Sequence, residues 1–354
     1  MSLCRILYIL CVAVICASTA VLAEDMTDLE PPKDVVGPQP ALFYLPDTDG
    51  STSAQPLDTF VACTLAGWDL TTRQEGPVVF LFPKGQAIDK IKREFKQVGP
   101  QGDRGPLPRN IGAYKRRPNP RWMHSGTHSA YISLIHGQTD LIYVARKPSA
   151  TEKRVAKRHG VELNPAPIAK DAFVFVVHED NPVENLTLKQ IRKIYTGKIT
   201  NWQAVGGEDK KIAPYQRNPQ SGSQQLMLDL VMKDEAMAEP PDFQNRLVRN
   251  SMRGAINAID EDPAGIGYSV FFYRNYMQPG EHTKLLAING VEPTKQSLAS
   301  EAYPLTTRVY VDAHPSGKGT RLKQWLQSDH GQRVIAASGY VPLKDVTPEN
   351  KTNK

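Results

Sequence analysis

Short apolar runs alternate with amphipathic segments along the chain. The runs "DLIYVARKPS" (140–149) and "DAFVFVVHEDNP" (171–182) are rich in Val, Ile and Phe and end in turn residues, which is typical of buried parallel strands. A helical pattern follows each of them, and in the second helix Thr187 and Gln190 form a predicted capping box. Repeated strand–helix units predict an α/β fold, in which ligands bind where strands end and helices begin.

Two later patterns continue this alternation. "AGIGYSVFFYRNY" (264–276) predicts a further strand, and "TRLKQWLQSDHGQRVIAASG" (320–339) predicts a closing amphipathic helix that ends at Gly339. The length of 354 residues is enough for about two domains of ordinary size.

The first residues have the pattern of a secretory signal peptide. A short positive region ends at Arg5, an uncharged apolar run follows, and Val21-Leu22-Ala23 matches a cleavage site. We predict cleavage after Ala23, so that residues 1–23 are a leader and the mature protein is exported to the periplasm. An uncleaved membrane anchor is the alternative, but an apolar run of about 17 residues is at the lower limit for crossing a bilayer.

Cysteine and histidine usage argues against a disulfide scaffold or a metal centre. Three of the four cysteines lie in the predicted leader, which leaves Cys63 alone in the mature chain, where it is expected to be a buried structural residue. The eight histidines show no ligand spacing. We therefore expect no metal and no cofactor.

Positive charge is concentrated in residues 84–121, which hold eleven Lys or Arg and three acidic residues. The Pro and Gly content of this stretch is typical of a solvated loop. A nucleic-acid or cell-surface patch is an alternative, but no recognisable nucleic-acid module surrounds it, and we expect no nucleic-acid partner. A third interpretation is weak steering of an anionic ligand toward a nearby cleft.

Three predicted helices begin in the same way, after glycine and small hydroxyl residues. Ser is a favoured N-cap residue, so helix capping is one interpretation of each start. The other is an anion site, because a helix start offers unpaired N–H groups and glycine lets a ligand approach the main chain. Arg217 adds a fixed positive charge just before the third start. We therefore expect these segments to converge on one oxyanion: Gly50-Ser51-Thr52-Ser53, Ser125-Gly126-Thr127-His128-Ser129 and Ser221-Gly222-Ser223.

The middle of the chain resembles a known family. "AKDAFVFVVHEDNPVENLTLKQIRKIYTGKITNWQAVGGEDKKI" followed by "QRNPQSGSQ" is similar to the PstS-type phosphate-binding proteins of bacterial ABC importers. "GIGYS", "YPL" and "GYVPL" follow in the family's order. The likeness spans roughly residues 45–343 and is dense over 168–273, whereas the basic, Pro/Gly-rich segment 71–122 departs from it as an elaboration within the first lobe.

The resemblance implies a two-lobed type 2 periplasmic binding protein of the α/β class, which closes on one oxyanion in the cleft between its lobes. Lobe 1 would comprise residues 38–168 and 299–345, and lobe 2 residues 169–298. The implied protein is a monomer with no enzymatic activity and no catalytic residues, which captures phosphate or a related tetrahedral oxyanion and docks on an ABC permease in the inner membrane. The implied ligand residues are Thr52, Ser53, Thr127, Arg146, Arg217, Ser221, Gly222 and Ser223.

Arg146 departs from the family pattern. Phosphate-binding members often carry an aspartate at this place that accepts the ligand's proton, and an unmatched donor in a dry site costs about 1–3 kcal/mol. Asp49 is a candidate substitute acceptor. Arg146 either contacts the ligand or forms a salt bridge, so the sequence supports an oxyanion more firmly than phosphate itself.

Two other classes of protein stay open at this point. A phosphohydrolase would need a metal cluster or a nucleophile with an adjacent base, and Ser221 has no neighbouring His or Asp in the sequence. A sensor or adhesion protein that reuses the fold and its basic segment would bind its partner without Arg217.

Overall fold

A computed structural model describes residues 46–66, 70–75, 78–83, 123–239, 248–249 and 252–346. The predicted leader and residues 84–122 of the basic segment lie outside the described residues. Within the described residues, no helix combines the length and the apolar character that a membrane crossing requires.

The strands and helices of the described residues alternate along the chain. The strands are β1 (Thr48–Gly50), β2 (Leu70–Glu75), β3 (Val78–Pro83), β4 (Leu141–Val144), β5 (Ala166–His178), β6 (Asn185–Leu186), β7 (Ala213–Pro214), β8 (Gln216–Arg217), β9 (Val248–Arg249), β10 (Gly265–Val270), β11 (Thr283–Leu285), β12 (Ala287–Ile288), β13 (Thr306–Ala313) and β14 (Val341–Pro342). The α-helices are α1 (Gln55–Ala66), α2 (Thr127–Ile135), α3 (Ala150–Arg158), α4 (Leu188–Tyr195), α5 (Gly222–Leu226), α6 (Met252–Asp260), α7 (Lys295–Ala299), α8 (Gly319–Leu326) and α9 (Asp329–Ala337).

The main sheet has the strand order β1-β4-β13-β5-β10-β7, and β11 and β14 also pair with β5. The pairs β1–β4 and β7–β10 are parallel, whereas every partner of β5 runs antiparallel to it. The predicted α/β class is confirmed, but the prediction of a parallel strand within 171–182 is wrong. Both faces of β5 are buried, and burial on both faces produces a continuous apolar run whatever the direction of the neighbouring strands.

Strand β5 connects the two parts of this sheet. Its residues up to Ala172 pair with β13 and β14, and its residues from Phe173 onward pair with β10 and β11. One hydrophobic cluster contains side chains from both parts, including Tyr143, Phe173 and Tyr268. The predicted lobe boundaries at 168/169 and 298/299 stay a prediction, and the change of pairing partners falls inside β5.

Local sequence signals account for most helix boundaries. Thr187 and Gln190 form the predicted capping box at α4, and Cys63 is buried as expected. The single helix predicted over 320–339 is wrong, because Ser328 caps a new helix, α9, through the backbone N–H of Gly331. The strand predicted over 264–276 ends at Val270 and gives way to a π-helical turn.

Asp171 lies in β5 next to the change of pairing partners. Its Oδ1 accepts hydrogen bonds from the backbone N–H groups of Ala172 at 2.8 Å and Phe272 at 3.1 Å. Burial raises the pKa of Asp171 to about 7, although these hydrogen bonds oppose the rise. An aspartate in the unfolded chain titrates near pH 3.9, so the folded protein retains a proton that the unfolded chain has already lost. Its contribution to stability is therefore complete below about pH 4 and is lost as the pH rises through about 7.

We expect Asp171→Asn to flatten this pH dependence, because the neutral amide oxygen keeps the acceptor role and never ionises. Between pH 5 and 8 the free energy of unfolding should fall by about 2–3 kcal/mol less in the variant than in the parent protein. Urea unfolding at several pH values measures the slope. Asp234→Asn, an exposed change, is the control, and equal slopes in parent and Asp171→Asn would refute the assignment.

Candidate functional site

The three glycine- and hydroxyl-led helix starts meet around one cavity of about 280 Å³. Arg217 lies beside them, as do apolar side chains from β10, α6 and the π-helical turn after β10. The structure therefore brings together, around a single space, segments that are far apart in the sequence. The lining residues are Ser51, Thr52, Ser53, Ser125, Gly126, Thr127, His128, Ser129, Ala145, Arg217, Asn218, Gln220, Ser221, Gly222, Ser223, Met252, Val270 and Tyr273.

The first helix start is fixed by contacts with distant parts of the chain. A 3-10 turn (Thr52–Ala54) follows β1 and continues directly into α1. The backbone N–H of Ser51 donates to the carbonyl of Tyr143 at 2.8 Å. The hydroxyl of Tyr340 donates to the carbonyl of Ser53, and the Tyr340 ring stacks on Phe272 with centroids 3.7 Å apart.

The second helix start is tied to the first by Asp49. Oδ1 of Asp49 accepts from the backbone N–H of Gly50 at 2.7 Å and of Ser125 at 2.9 Å, while Oδ2 accepts from the Ser125 hydroxyl at 2.7 Å. Burial raises the pKa of Asp49, and the Ser125 hydrogen bonds oppose that rise. Asp49 therefore positions the second start rather than serving as the substitute ligand acceptor considered above. Gly126, the N-cap of α2, has φ +94°, a conformation that favours glycine.

Thr127 begins α2 and carries an unpaired hydroxyl. Its side chain is 2% exposed, and Oγ1 has no hydrogen-bond partner among the described residues. A buried hydroxyl without a partner costs free energy. Because Thr127 lines the cavity, a ligand oxygen there would satisfy it.

The third helix start uses its serine as a cap and its glycine for close approach. Oγ of Ser221 accepts from the backbone N–H of Gln224 at 2.9 Å, so the capping interpretation holds for this oxygen. A Cβ on Gly222 would lie 2.5 Å from Oγ1 of Thr127, a distance too short for van der Waals contact. The second and third starts therefore touch at Gly222 and Thr127. The short α5 continues without a break into a π-helical segment, Met227–Met232.

Arg217 is a buried cation without a paired anion. It lies in β8 and is 7% exposed. Its Nε donates to the carbonyl of Arg249 at 3.0 Å, while its Nη1 is buried and has no partner among the described residues. Burial lowers the pKa of Arg217 to about 10, which still leaves the guanidinium charged at neutral pH. Within the described ranges no carboxylate forms a salt bridge with it.

Arg146 is the one predicted ligand residue that the structure does not place in the cavity lining. Its Nη1 and Nη2 donate to the two carboxylate oxygens of Glu152, each at 2.7 Å. The prediction of a ligand contact is therefore corrected in favour of the salt bridge, because a bidentate carboxylate already occupies the guanidinium. The neighbouring Ala145 lines the cavity in its place.

Sequence reasoning missed Asn218 and Tyr273, which line the cavity, and Tyr340, which holds the first helix start. His128 was named only as part of the second helix start, and Asp49 only as a candidate acceptor. His128 and Asn218 each lie within one residue of a predicted ligand residue, so adjacency in sequence was a usable signal. Tyr273 lies in a π-helical turn, which the hydrophobic periodicity of the sequence does not indicate. Among the described residues, no group of three or more His, Cys, Asp or Glu is placed to hold a metal ion.

We expect Gly222→Ala to clash with Thr127 and to lower the free energy of unfolding by about 1–3 kcal/mol, the usual effect of overpacking. Thr127→Ala removes the atom that the new Cβ would meet. Urea unfolding of both single variants and the double variant, without ligand, measures the coupling between the two sites. The double variant should be less destabilised than the sum of the singles. Strict additivity would contradict the close contact.

Comparison with known proteins identifies the family and the fold. A model of the PBP superfamily domain matches residues 113–330. Two curated relatives are named phosphate-binding protein PstS. The protein of Bacillus subtilis (strain 168) is 28% identical over 191 residues, which cover 52% of this chain and 60% of the relative. The protein of Staphylococcus epidermidis (strain RP62A) is 29% identical over 231 residues, which cover 61% and 68%.

Solved structures agree in fold. An ABC-type phosphate transport receptor from Vibrio cholerae is 21% identical with a TM-score of 0.52, and the match covers 83% of this chain and 98% of the receptor. A candidate phosphate ABC transporter substrate-binding protein from Clostridium perfringens, solved with bound phosphate, is 20% identical with a TM-score of 0.57, covering 84% and 99%. At these identities the structures show a shared fold.

The chain spans about three fifths of the length of the Bacillus subtilis relative, whereas the family match covers more than half of this chain. Together with the shared fold, this match shows that the chain belongs to the PBP superfamily.

Proposed function

We propose that this protein is an extracytoplasmic binding protein that captures inorganic phosphate, or a related tetrahedral oxyanion, and delivers it to an ABC permease in the inner membrane. The observation that carries the proposal is the buried guanidinium of Arg217, which lines the cavity with an unpaired Nη1. The names of the relatives support phosphate as the anion.

The electrostatics of the cavity favour an anion. Removing a cation from water is costly unless a counter-charge compensates for it. Arg217 has only a backbone carbonyl as partner for Nε, and Thr127 adds an unpaired hydroxyl donor. An oxyanion would accept from both groups at once, so binding would offset two desolvation costs that the ligand-free protein carries.

The ligand set that we propose follows the lining of the cavity. Arg217 would bind the anion through its free Nη1, and the hydroxyl of Thr127 would donate to a second oxygen. The proposed ligand residues are Thr52, Ser53, Thr127, Arg217, Ser221, Gly222 and Ser223, and Arg146 is left out.

The magnitudes are consistent with hydrogen bonding as the main source of affinity. Micromolar binding corresponds to about −8 kcal/mol. Helix ends contribute roughly 0.3–1 kcal/mol each and do not supply this amount. Hydrogen bonds to charged groups contribute about 1.5–3 kcal/mol each, so a few of them around Arg217 and the hydroxyls suffice.

Capture would involve hinge closure and no covalent step. Strand β5 pairs with strands of both parts of the sheet, which makes it the proposed hinge. The predicted leader, with cleavage after Ala23, would export the chain to the periplasm, where it would act as a monomer.

We expect replacement of Arg217 to weaken phosphate binding in graded steps. Arg217→Met should weaken binding by about 100-fold, since it removes hydrogen bonds to a charged donor worth roughly 3 kcal/mol. Arg217→Lys should fall between Met and the parent protein, because the charge is kept and the planar fork is lost. Isothermal titration calorimetry with inorganic phosphate measures the affinities.

Arg154→Met is the matched control, because Arg154 is exposed in α3 and, within the described residues, donates its hydrogen bond to the neighbouring Thr151. It should bind phosphate as the parent protein does. Unchanged phosphate affinity in Arg217→Met would remove the central residue from the proposal.

A further inference from the structure

His128 lies in the cavity lining, one residue after Thr127 in the second helix start. Its Nδ1 is 2.9 Å from Oε1 of Glu152, and its side chain is 30% exposed. The ring is therefore anchored on one side by a buried carboxylate. His128 is not a member of the proposed ligand set.

The partners of Glu152 determine which nitrogen of His128 carries the proton. Burial raises the pKa of Glu152, but the hydrogen bonds and charge of Arg146 outweigh burial and hold this pKa below its usual range. Glu152 is thus a carboxylate, which only accepts hydrogen bonds. Across the 2.9 Å contact Nδ1 of His128 must be the donor.

The same carboxylate is already neutralised. Arg146 donates to both of its oxygens at 2.7 Å, and the backbone N–H of Ser149 donates to Oε2 at 2.7 Å. The carboxylate is therefore held by three donors besides the ring of His128. With Nδ1 as the donor, the neutral ring carries its lone pair on Nε2, and the described part of the chain gives this nitrogen no hydrogen bond.

We propose that Nε2 of His128 accepts the O–H of hydrogen phosphate, and that this acceptor selects protonated tetrahedral anions over sulfate. The inference deepens the proposed function and rests on it. The other polar groups described above as unpaired in the cavity, Arg217 Nη1 and the Thr127 hydroxyl, serve either anion as donors. Sulfate carries no proton at neutral pH, so it cannot donate a hydrogen bond to the lone pair on Nε2, and its oxygens are repelled by that lone pair.

Asn218 is the competing acceptor, since its Oδ1 is buried without a partner and lines the cavity. Its amide presents either an oxygen or an NH₂ group after a half turn, so it accommodates a protonated or an unprotonated ligand oxygen equally. The ring of His128 has no such freedom, because Glu152 holds Nδ1. The chain Arg146–Glu152–His128 thereby gives Arg146 a positioning role at a distance from the ligand.

The test compares phosphate and sulfate affinities by calorimetry. The parent protein should bind phosphate more tightly than sulfate. His128→Phe should lose at least tenfold in phosphate affinity, which corresponds to about 1.4 kcal/mol, and its sulfate affinity should stay within about twofold of the parent value. Retained sulfate binding also shows that the variant is folded.

Two control variants sharpen the comparison. His136→Phe makes the same chemical change at the end of α2, where the ring contacts His159 outside the cavity lining, and it should change neither affinity. Asn218→Leu should weaken both anions to a similar extent. Loss of phosphate selectivity in Asn218→Leu with selectivity retained in His128→Phe would overturn the assignment.

A spectroscopic measurement tests the tautomer directly. Long-range ¹H–¹⁵N correlation spectra of the ligand-free protein should show Nε2 of His128 unprotonated, and Glu152→Gln should shift this signal. A proton on Nε2 in the parent protein would overturn the inference, as would equal affinity for phosphate and sulfate. Both results leave the oxyanion proposal standing, whereas a parent protein that binds neither anion ends the proposed function itself.

Discussion

The structure depends on a positive charge that is held away from water and for which the described residues provide no counter-charge. Arg217 is 7% exposed, and within the described residues its side chain donates to the backbone carbonyl of Arg249. Such a group destabilises the ligand-free fold, so it persists only where the surrounding packing fixes it. The strand pair β8–β9 and the hydrogen bonds from its own backbone N–H to Gln224 and Tyr268 provide that packing. The free energy that the fold gives up here becomes available when an anion arrives.

The helix starts follow from the same constraint. Donors that face a buried cavity must approach one another closely, and this requires positions without a side chain. Gly222 allows contact with Thr127, and Gly50 allows β1 to lie against the carbonyl of Tyr143. Asp49 then fixes the loops by accepting hydrogen bonds from Ser125. The glycines, the hydrogen bonds of Asp49 and the buried guanidinium of Arg217 are therefore parts of one arrangement.

Local signals in the sequence predicted much of this arrangement, whereas strand pairing and salt-bridge partners, which depend on distant parts of the chain, were not predicted. Caps and glycines are read within a few residues, so the three starts and the box at Thr187 were predictable. The antiparallel partners of β5 were not, because an apolar run records burial and carries no direction. The partner of Arg146 was also undetermined. Glu152 lies six residues away, and the packing of α3 against α2 helps to place its carboxylate at the guanidinium.

The pairing of Arg146 with Glu152 changes what a departure from the family pattern means. A guanidinium in place of an acidic acceptor would, in the cavity, add charge and remove discrimination between anions. In this chain the carboxylate that neutralises it also holds the ring of His128. The acceptor is then the imidazole of His128, which an acidic side chain holds in place, rather than an acidic side chain itself. Among the described residues that line the cavity, Arg217 alone carries a guanidinium or ammonium charge. Charge attraction and proton recognition are thereby assigned to different side chains, which lets each be set by its own surroundings.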